Sequence, residues 1–149
     1  MMELEYGKAT DSEIEEIFSL AGKNRAEATG IHEQNNQEKM IASYQDSLEN
    51  GAYFLVARTD DDLIGWVLVD RSLDWFTHKE IGWISDVYVK TEFRNHGVAE
   101  DLLEQSLVEF KHLGYDDVRL NVFCFNEKAI RLYNKIGFKD VSKFMRIEI

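Results

Sequence analysis

The first half of the chain has apolar positions at helical spacing, followed by two short apolar runs typical of strands. The second helix, for example, repeats apolar side chains at Met40, Ile41, Tyr44 and Leu48. The predicted elements are a strand at Leu4–Lys8, a helix from Thr10 or Asp11 through Leu20, a mobile polar loop at 22–34, a helix to about Leu48 that ends at Gly51, and strands at Tyr53–Arg58 and Leu63–Asp70 joined by a turn at Thr59–Asp62.

In the second half, the pattern predicts strands that alternate with helices. The helix over 97–112 carries small or apolar side chains along one face. The predicted elements are a loop at Ser72–Lys79, a strand at Glu80–Val89, the helix 97–112, a strand at Val118–Phe123, a helix at Glu127–Lys135 ended by Gly137, and Phe138 with Val141–Ile149, which close the sheet. This order predicts a mixed α/β fold.

Composition supports one compact domain spanning residues 1–149. The chain has 149 residues, 44% hydrophobic and 12% aromatic, which is enough to bury a core. Its apolar runs are too short to cross a bilayer, and the acidic N-terminal stretch lacks the pattern of a signal peptide. A single cysteine, Cys124, excludes an internal disulfide, so a reducing, cytoplasmic location is expected.

The charge is distributed unevenly. The formal net charge is −11, which disfavours nucleic acids and anionic membranes as partners. Residues 1–89 hold 18 acids and 7 bases, whereas residues 90–149 hold 10 of each. The acidic part is interpreted either as a solubilising surface or as the side that receives a cationic substrate while the neutral part receives an anionic cofactor.

One strand-to-helix turn has the features of a phosphate site. The strand ending at Val87-Tyr88-Val89 leads through Arg94, Asn95, His96, Gly97, Val98 and Ala99 into the helix. The first amides of a helix have no internal partner and attract anions. Gly97 permits close approach of the backbone, and Arg94 adds a charge. On this spacing alone, an ordinary turn remains the alternative.

This turn resembles the cofactor motif of the GNAT superfamily of N-acetyltransferases. The family's second motif, Asn-x-x-Ala-x-x-Leu-Tyr-x-x-x-Gly-Phe, is matched by residues 126–138 at the expected separation. The resemblance implies a GNAT-like fold, with a mixed, mostly antiparallel sheet of six to seven strands that is splayed at the cofactor site and flanked by about four helices. The departures are Thr91 for proline, Asn95 for glycine and Ala99 for glycine; His96 is expected to face solvent.

The resemblance also implies acetyl-CoA as co-substrate. The pantetheine arm would lie along Val87, Tyr88 and Val89, the amides of residues 94–99 would wrap the diphosphate, and Asn126 would contact the arm. The four histidines lack metal-ligand spacing, so no metal is expected.

In the implied reaction, a neutral amine attacks the thioester directly in a ternary complex. Tyr133 holds the family's tyrosine position and is assigned as the acid that protonates the leaving thiolate, with cofactor orientation or packing as alternatives. The base is assigned first to Asp86 and next to Glu80, because Ser85 stands where some members have glutamate. A structural role for Asp86 and a water relay both remain open.

The leading hypothesis is acetylation of a small cationic amine such as a polyamine or an aminoglycoside-like compound. Acids on the expected acceptor side include Glu27, Glu33, Asp70 and Asp74, and the aromatic side chains that could face an ammonium group are Trp75, Phe76 and Trp83. The alternatives are a protein or peptide N-acetyltransferase, a non-catalytic acyl-CoA-binding module and a nucleotide-binding domain. A homodimer is left open.

Overall fold

The computed structural model describes residues 3–60 and 62–149 as a five-stranded sheet with helices on both faces. The strands are β1 (Glu5–Lys8), β2 (Tyr53–Thr59), β3 (Asp62–Leu73), β4 (Glu80–Val89) and β5 (Val118–Arg119). The helices are α1 (Asp11–Ser19), α2 (Ala21–Thr29), α3 (Asn36–Glu49), α4 (Val98–His112) and α5 (Glu127–Ile136), with a short 3-10 turn at Thr91–Phe93. In the part of the chain that is described, no helix is long and apolar enough to cross a membrane.

The sheet order is β1-β2-β3-β4-β5, as the chain order requires when consecutive strands are neighbours. The first four strands are antiparallel, and β5 is parallel to β4 because α4 carries the chain back across the sheet. The α/β class and the mixed, mostly antiparallel sheet agree with the sequence prediction.

Two hydrophobic clusters cover the two faces of the sheet. One packs α4 against it through Leu102, Leu103 and Phe110. The other packs α1 and α3 through Ile17 and Tyr44, together with strand residues. Burial on both faces explains why β2 and β3 read as near-continuous apolar runs rather than alternating ones.

The prediction of a mobile loop over 22–34 is wrong, because its first part is helix α2. Apart from the buried Ala21, this helix has no continuous apolar face, and polar contacts hold it: its Gly22 amide donates to the Gln37 side chain, and its Asn24 side chain donates to Asp86. Gly30, with φ of 70°, ends it. Met1, Met2 and Asp61, which belong to the predicted N-terminal stretch and hairpin turn, lie outside the described residues.

The predicted closure of the sheet is also wrong. Strand β5 ends at Arg119 instead of Phe123, and within the described chain residues 138–149 form no strand. The sheet therefore has five described strands rather than six or seven, and five α-helices rather than about four. A strand exists only where a neighbour completes its backbone hydrogen bonds, and beyond Arg119 none of the described residues forms a ladder with the chain. The predicted loop at Ser72–Lys79 is shorter, since β3 extends to Leu73.

Candidate active site

A bulge in β4 sets the geometry of the site. Leu68 pairs with Asp86 but Val69 pairs with Ile84, so Ser85 is the extra residue. A bulge bends its strand and re-aims the side chains that follow. On the other edge of β4, pairing with β5 covers only Gly82 and Trp83. The backbone from the bulge to Val89 therefore borders an open gap in the sheet.

The conformation of the loop after β4 leaves its backbone amides open to close approach by another molecule. Asn95 and Gly97 have positive φ angles of 67° and 78°, and Gly97 is the N-cap of α4. A glycine cap has no side-chain acceptor, so the first amides of α4 keep their hydrogen-bonding capacity. A Cβ placed on Gly97 would meet nothing within 4 Å, which means that space over the loop is free. Successive amides in a loop of this handedness are typical of anion sites.

The Arg94 side chain fixes this loop to its surroundings. Its Nε donates to the Val89 carbonyl at 2.8 Å, and its guanidinium pairs with Glu27 at 2.8 Å. It also lies 5.1 Å from the centre of the Tyr88 ring. The guanidinium thus joins the loop to β4 and α2, whereas the predicted contact between Arg94 and phosphate stays a prediction.

Asp86 lies at the centre of a polar cluster that sequence analysis did not find. Its carboxylate accepts hydrogen bonds from Tyr44 Oη at 2.6 Å, Trp66 Nε1 at 2.8 Å and Asn24 Nδ2 at 2.8 Å. Burial raises the pKa of the Asp86 carboxyl, while these donors and the Val87 amide oppose the rise. The cluster joins α2, α3, β3 and β4 around the bulge, and a raised pKa would also suit a base.

Tyr133 lies near this carboxylate from the direction of α5. Burial and the charge of Asp86 raise the pKa of its hydroxyl to about 12, so it keeps its proton at neutral pH. The ring packs edge-on against Phe138 at 5.8 Å between centroids. Within residues 3–60 and 62–149, the structure gives the hydroxyl no hydrogen-bond partner. A protonated, unengaged hydroxyl can donate to a bound molecule.

The second motif meets the loop through one direct contact. Lys128 on α5 donates to the Asn95 side chain at 2.7 Å. Asn126 is the N-cap of α5, and its side chain makes no capping hydrogen bond. The site residues of the two motifs are therefore on adjoining elements, although no described contact assigns Asn126 a role.

Most acids expected on the acceptor side already have partners. Glu27 pairs with Arg94, Glu33 with Lys39 and Asp74 with Arg119. Glu80, the second choice for the base, accepts from Tyr115 at 3.2 Å and lies 3.7 Å from Arg71. Asp70 differs, because its oxygens accept from neutral donors: the Ser85 hydroxyl at 2.7 Å and the Arg71 amide at 2.8 Å.

The three aromatic side chains that were expected to face an ammonium group lie in two separate places. Trp75 and Phe76 are 82% and 79% exposed in the turn between β3 and β4, with centroids 5.6 Å apart. Trp83 stands on β4 opposite Asp70. Only Trp83 is thus adjacent to the bulge, and nothing in the structure joins it to the other two rings.

The bulge, the gap beside β4 and the loop before α4 follow one another along the chain, and Tyr133 of α5 lies near enough to Asp86 to feel its charge. Residues 14–138 match the model of the Acetyltransferase (GNAT) family. This match spans most of the chain, and the protein belongs to that family.

Two relatives carry acetyltransferase names, and a solved structure has the same fold. An N-alpha-acetyltransferase of Saccharolobus solfataricus is 30% identical over 100 residues, covering 62% of this chain and 60% of the relative. A thialysine N-epsilon-acetyltransferase of Sus scrofa is 30% identical over 81 residues, covering 54% of this chain and 47% of the relative. A putative acetyl transferase from Pyrococcus furiosus superposes with a TM-score of 0.85 at 24% identity, covering 99% of this chain and all of the other. The matches thus span about 60% or less of the two relatives' length.

Proposed function

We propose that the protein, as a single domain over residues 1–149, is an acetyl-CoA-dependent N-acetyltransferase that acts on a primary amine of a small cationic molecule. The observation that carries this proposal is the gap beside β4, where pairing with β5 stops at Trp83 although β4 continues to Val89. An extended amide-bearing arm can pair with such an edge as another strand would.

The chain's residues would hold the cofactor in two places. Val87 and Tyr88 border the gap; the Val89 carbonyl is already occupied by Arg94, so the arm would depend mainly on the two preceding residues. The amides from Asn95 to Ala99 would hold the diphosphate, with the remaining loop positions, His96 and Val98, contributing their backbone. Bound acetyl-CoA would supply the activated thioester.

Tyr133 would take the position of the acid and stabilise the thiolate that leaves. A thiol has a pKa of about 8.5, well below that of Tyr133 at about 12, so the hydroxyl acts chiefly by donating a hydrogen bond as negative charge develops on sulfur. Asp86 would take the proton of the attacking amine, directly or through water, since burial raises its pKa. The neutral amine attacks the thioester carbonyl, its nitrogen passes the surplus proton to Asp86 as the amide forms, and the carbon–sulfur bond breaks to release the thiolate.

Asp70 is the acid best placed for a cationic acceptor. Its carboxylate accepts hydrogen bonds from the Ser85 hydroxyl at the bulge and from the Arg71 amide, and no ion pair is described for it. A thialysine acetyltransferase among the relatives is consistent with a small amine, while N-alpha-acetyltransferases favour the alternative of a peptide N-terminus.

The test is thiol release from acetyl-CoA in the presence of an amine panel of polyamines, aminoglycosides and peptides with free N-termini or lysines. Cys124 is exposed and would react with thiol reagents, so the assay needs a Cys124→Ser background. Turnover on small polycations supports the proposal, and turnover on peptides alone supports the alternative. Tight binding of acetyl-CoA without turnover on any amine would identify a non-catalytic module.

A further inference from the structure

Strand β5 is one wall of the gap beside β4, and its attachment to the sheet is short. Two residue pairs join it to β4, Gly82 with Val118 and Trp83 with Arg119, and the Gly82 amide donates to the Asp117 carbonyl at 2.9 Å. The pair of Trp83 and Arg119 is the point where the gap opens, since β4 continues beyond it. Backbone pairing of this length holds a parallel strand weakly, so side chains must also fix β5.

On one face of the sheet, β5 is fixed by apolar packing. Val118 and Leu120 pack against the cluster beneath α4. A Cβ placed on Gly82 would lie 3.1 Å from Val118 Cγ2 and 2.7 Å from Phe110 Cδ1, so glycine at this position lets β5 and α4 approach β4 closely. Because side chains alternate along a strand, the residue after Val118 faces the opposite side of the sheet.

That residue, Arg119, anchors β5 from the opposite face through its guanidinium. Its Nε and Nη2 donate to the two carboxylate oxygens of Asp117, just ahead of β5, at 3.1 and 3.0 Å. Its Nη1 donates at 2.7 Å to Asp74 Oδ2, in the turn between β3 and β4. A guanidinium can hold two carboxylates at once because its five donors lie in one rigid plane. Arg119 thus joins the last paired position of β5 to a turn that lies 45 residues away in sequence.

Asp74 provides a fixed point for this contact. Its second carboxylate oxygen accepts from the backbone amides of Phe76 and Thr77 at 2.8 and 2.7 Å. Its own amide donates to the Lys79 carbonyl at 2.8 Å. The Thr77 amide, the Arg119 guanidinium and the Phe76 amide hold the pKa of the Asp74 carboxyl well below its usual range, so both partners are charged at neutral pH.

A second ion pair connects the same two segments but is exposed to solvent. Lys79, next to the start of β4, pairs with Asp116, ahead of β5, at 2.8 Å. Its two side chains are 56% and 80% exposed, against 25% and 13% for Arg119 and Asp74. Water screens an exposed pair and leaves it little net strength, whereas a partly buried guanidinium with several donors engaged is held more firmly. We therefore expect Arg119 to fix β5 and Lys79 to serve as a matched control.

We infer that Arg119 is a positioning residue of the cofactor site, which fixes β5 where the gap opens and so sets the width available to the extended arm of the acyl carrier. The inference rests on the proposed binding of acetyl-CoA beside β4. Arg119 acts through the backbone of β5, while its guanidinium is engaged by two carboxylates. Without this anchor, β5 would shift relative to β4 and alter the spacing that an arm paired with β4 requires.

Amide hydrogen exchange of the protein without ligand tests the anchor itself. The Gly82 amide reports on the attachment of β5, because it donates to the Asp117 carbonyl. Arg119→Gln is expected to speed exchange of this amide about tenfold or more, the scale of a lost charge-assisted hydrogen bond. The Val67 amide, at the centre of the ladder between β2 and β3, should keep its protection and show that the fold is intact. Lys79→Gln should exchange at Gly82 as the wild type does.

Calorimetric binding of coenzyme A, without any amine, tests the effect on the gap. Arg119→Gln is expected to raise the Kd about tenfold, because the loosened wall must be ordered on binding. In the thiol-release assay the KM for acetyl-CoA should rise by a similar factor and kcat should stay within about twofold. Asp74→Asn, which removes the other partner, should have the same effect, and the double variant should add little to either single change.

Arg119→Lys separates anchoring from simple attraction of an anionic ligand. Lysine keeps the charge but cannot reproduce the planar fork, so exchange at Gly82 should be faster and coenzyme A should bind more weakly than in the wild type. Wild-type affinity in Arg119→Lys together with faster exchange overturns the inference. Unchanged exchange in Arg119→Gln overturns it as well, and so does faster exchange with unchanged affinity. A wild type without affinity for coenzyme A would instead refute the proposed function and, with it, any role of Arg119 in that site.

Discussion

Replacing Tyr133 with phenylalanine separates its chemical role from its structural one. The substitution removes only the hydroxyl, and the ring keeps its edge-on contact with Phe138. Because the described chain gives that hydroxyl no hydrogen-bond partner, its removal leaves no orphaned group, and we expect the free energy of unfolding to change by less than about 0.5 kcal/mol. Turnover, in contrast, should fall ten- to a thousandfold, roughly 1.4–4 kcal/mol of barrier.

The assay is thiol release in the Cys124→Ser background, combined with urea unfolding and calorimetric binding of acetyl-CoA. Tyr53→Phe is the matched control. The Tyr53 hydroxyl donates to Glu109 of α4 at 2.7 Å, and neither residue belongs to the proposed site. The Tyr53→Phe variant should therefore lose about 1 kcal/mol of stability and keep its turnover. Tyr133→Phe is thus expected to lose turnover and keep its stability, whereas Tyr53→Phe is expected to lose stability and keep its turnover.

The raised pKa of the Tyr133 hydroxyl provides a second readout, the pH dependence of stability. The folded value for Tyr133 is about 12 against 10.0 for an ordinary tyrosine, so the folded protein retains a proton that the unfolded chain loses. Below pH 10 wild type and Tyr133→Phe should therefore be about equally stable, and as pH rises from 10 toward 12 wild type should lose stability relative to the variant, which has no hydroxyl to ionise. Unchanged turnover in Tyr133→Phe, with acetyl-CoA still bound, would refute the assignment of the acid.

Three further predictions concern the loop, the base and the acceptor. Gly97→Val and Gly114→Val both place a branched side chain at positive φ in open space, so each variant should lose about 1–3 kcal/mol of stability. Only Gly97→Val should abolish acetyl-CoA binding in calorimetry, and equal affinities of the two variants would exclude the loop as the diphosphate site. Asp86→Asn should lower turnover about a hundredfold or more and remove the acidic limb of the rate–pH profile, whereas Tyr44→Phe, which keeps the carboxylate, should retain that limb. Asp70→Asn should raise KM for a polycation about tenfold at low salt and leave acetyl-CoA affinity unchanged, and an unaltered KM would remove Asp70 from the acceptor site.

The loop before α4 could be predicted from sequence because the residues that determine its conformation are neighbours in the chain. A strand end, a glycine and a helix start are consecutive in the chain, and the structure places Gly97 at the N-cap of α4 with the positive φ that glycine favours. The two family motifs are equally compact. The fold class, the family and the position of the loop were therefore predictable without any knowledge of tertiary contacts.

The environment of Asp86 could not be predicted in this way. Its donors are 62, 42 and 20 residues away in sequence, at Asn24, Tyr44 and Trp66. Tyr44 was recognisable only as an apolar position of α3, and Asn24 fell in a segment without an amphipathic pattern. Helix α2 was missed for the same reason, since hydrogen bonds of Gly22 and Asn24 anchor it and it has no continuous apolar face. Residues 138–149 have a strand-like pattern but form no strand in the structure, because a pattern alone does not say whether any edge pairs with it.

Ion pairing changes what the acidic half of the chain can contribute to recognition. The charges of Glu27, Glu33 and Asp74 are each offset by a cation within 2.8 Å, so at longer range these pairs act as dipoles rather than as charges. Asp70 accepts only neutral donors in the described contacts and stands opposite Trp83 at the bulge, where β4 turns toward the gap. If the substrate is cationic, the remaining surplus of acids would steer it from a distance, and Asp70 would determine where its ammonium group stops. The same steering would apply to a peptide N-terminus, which is why the amine panel rather than the net charge must identify the acceptor.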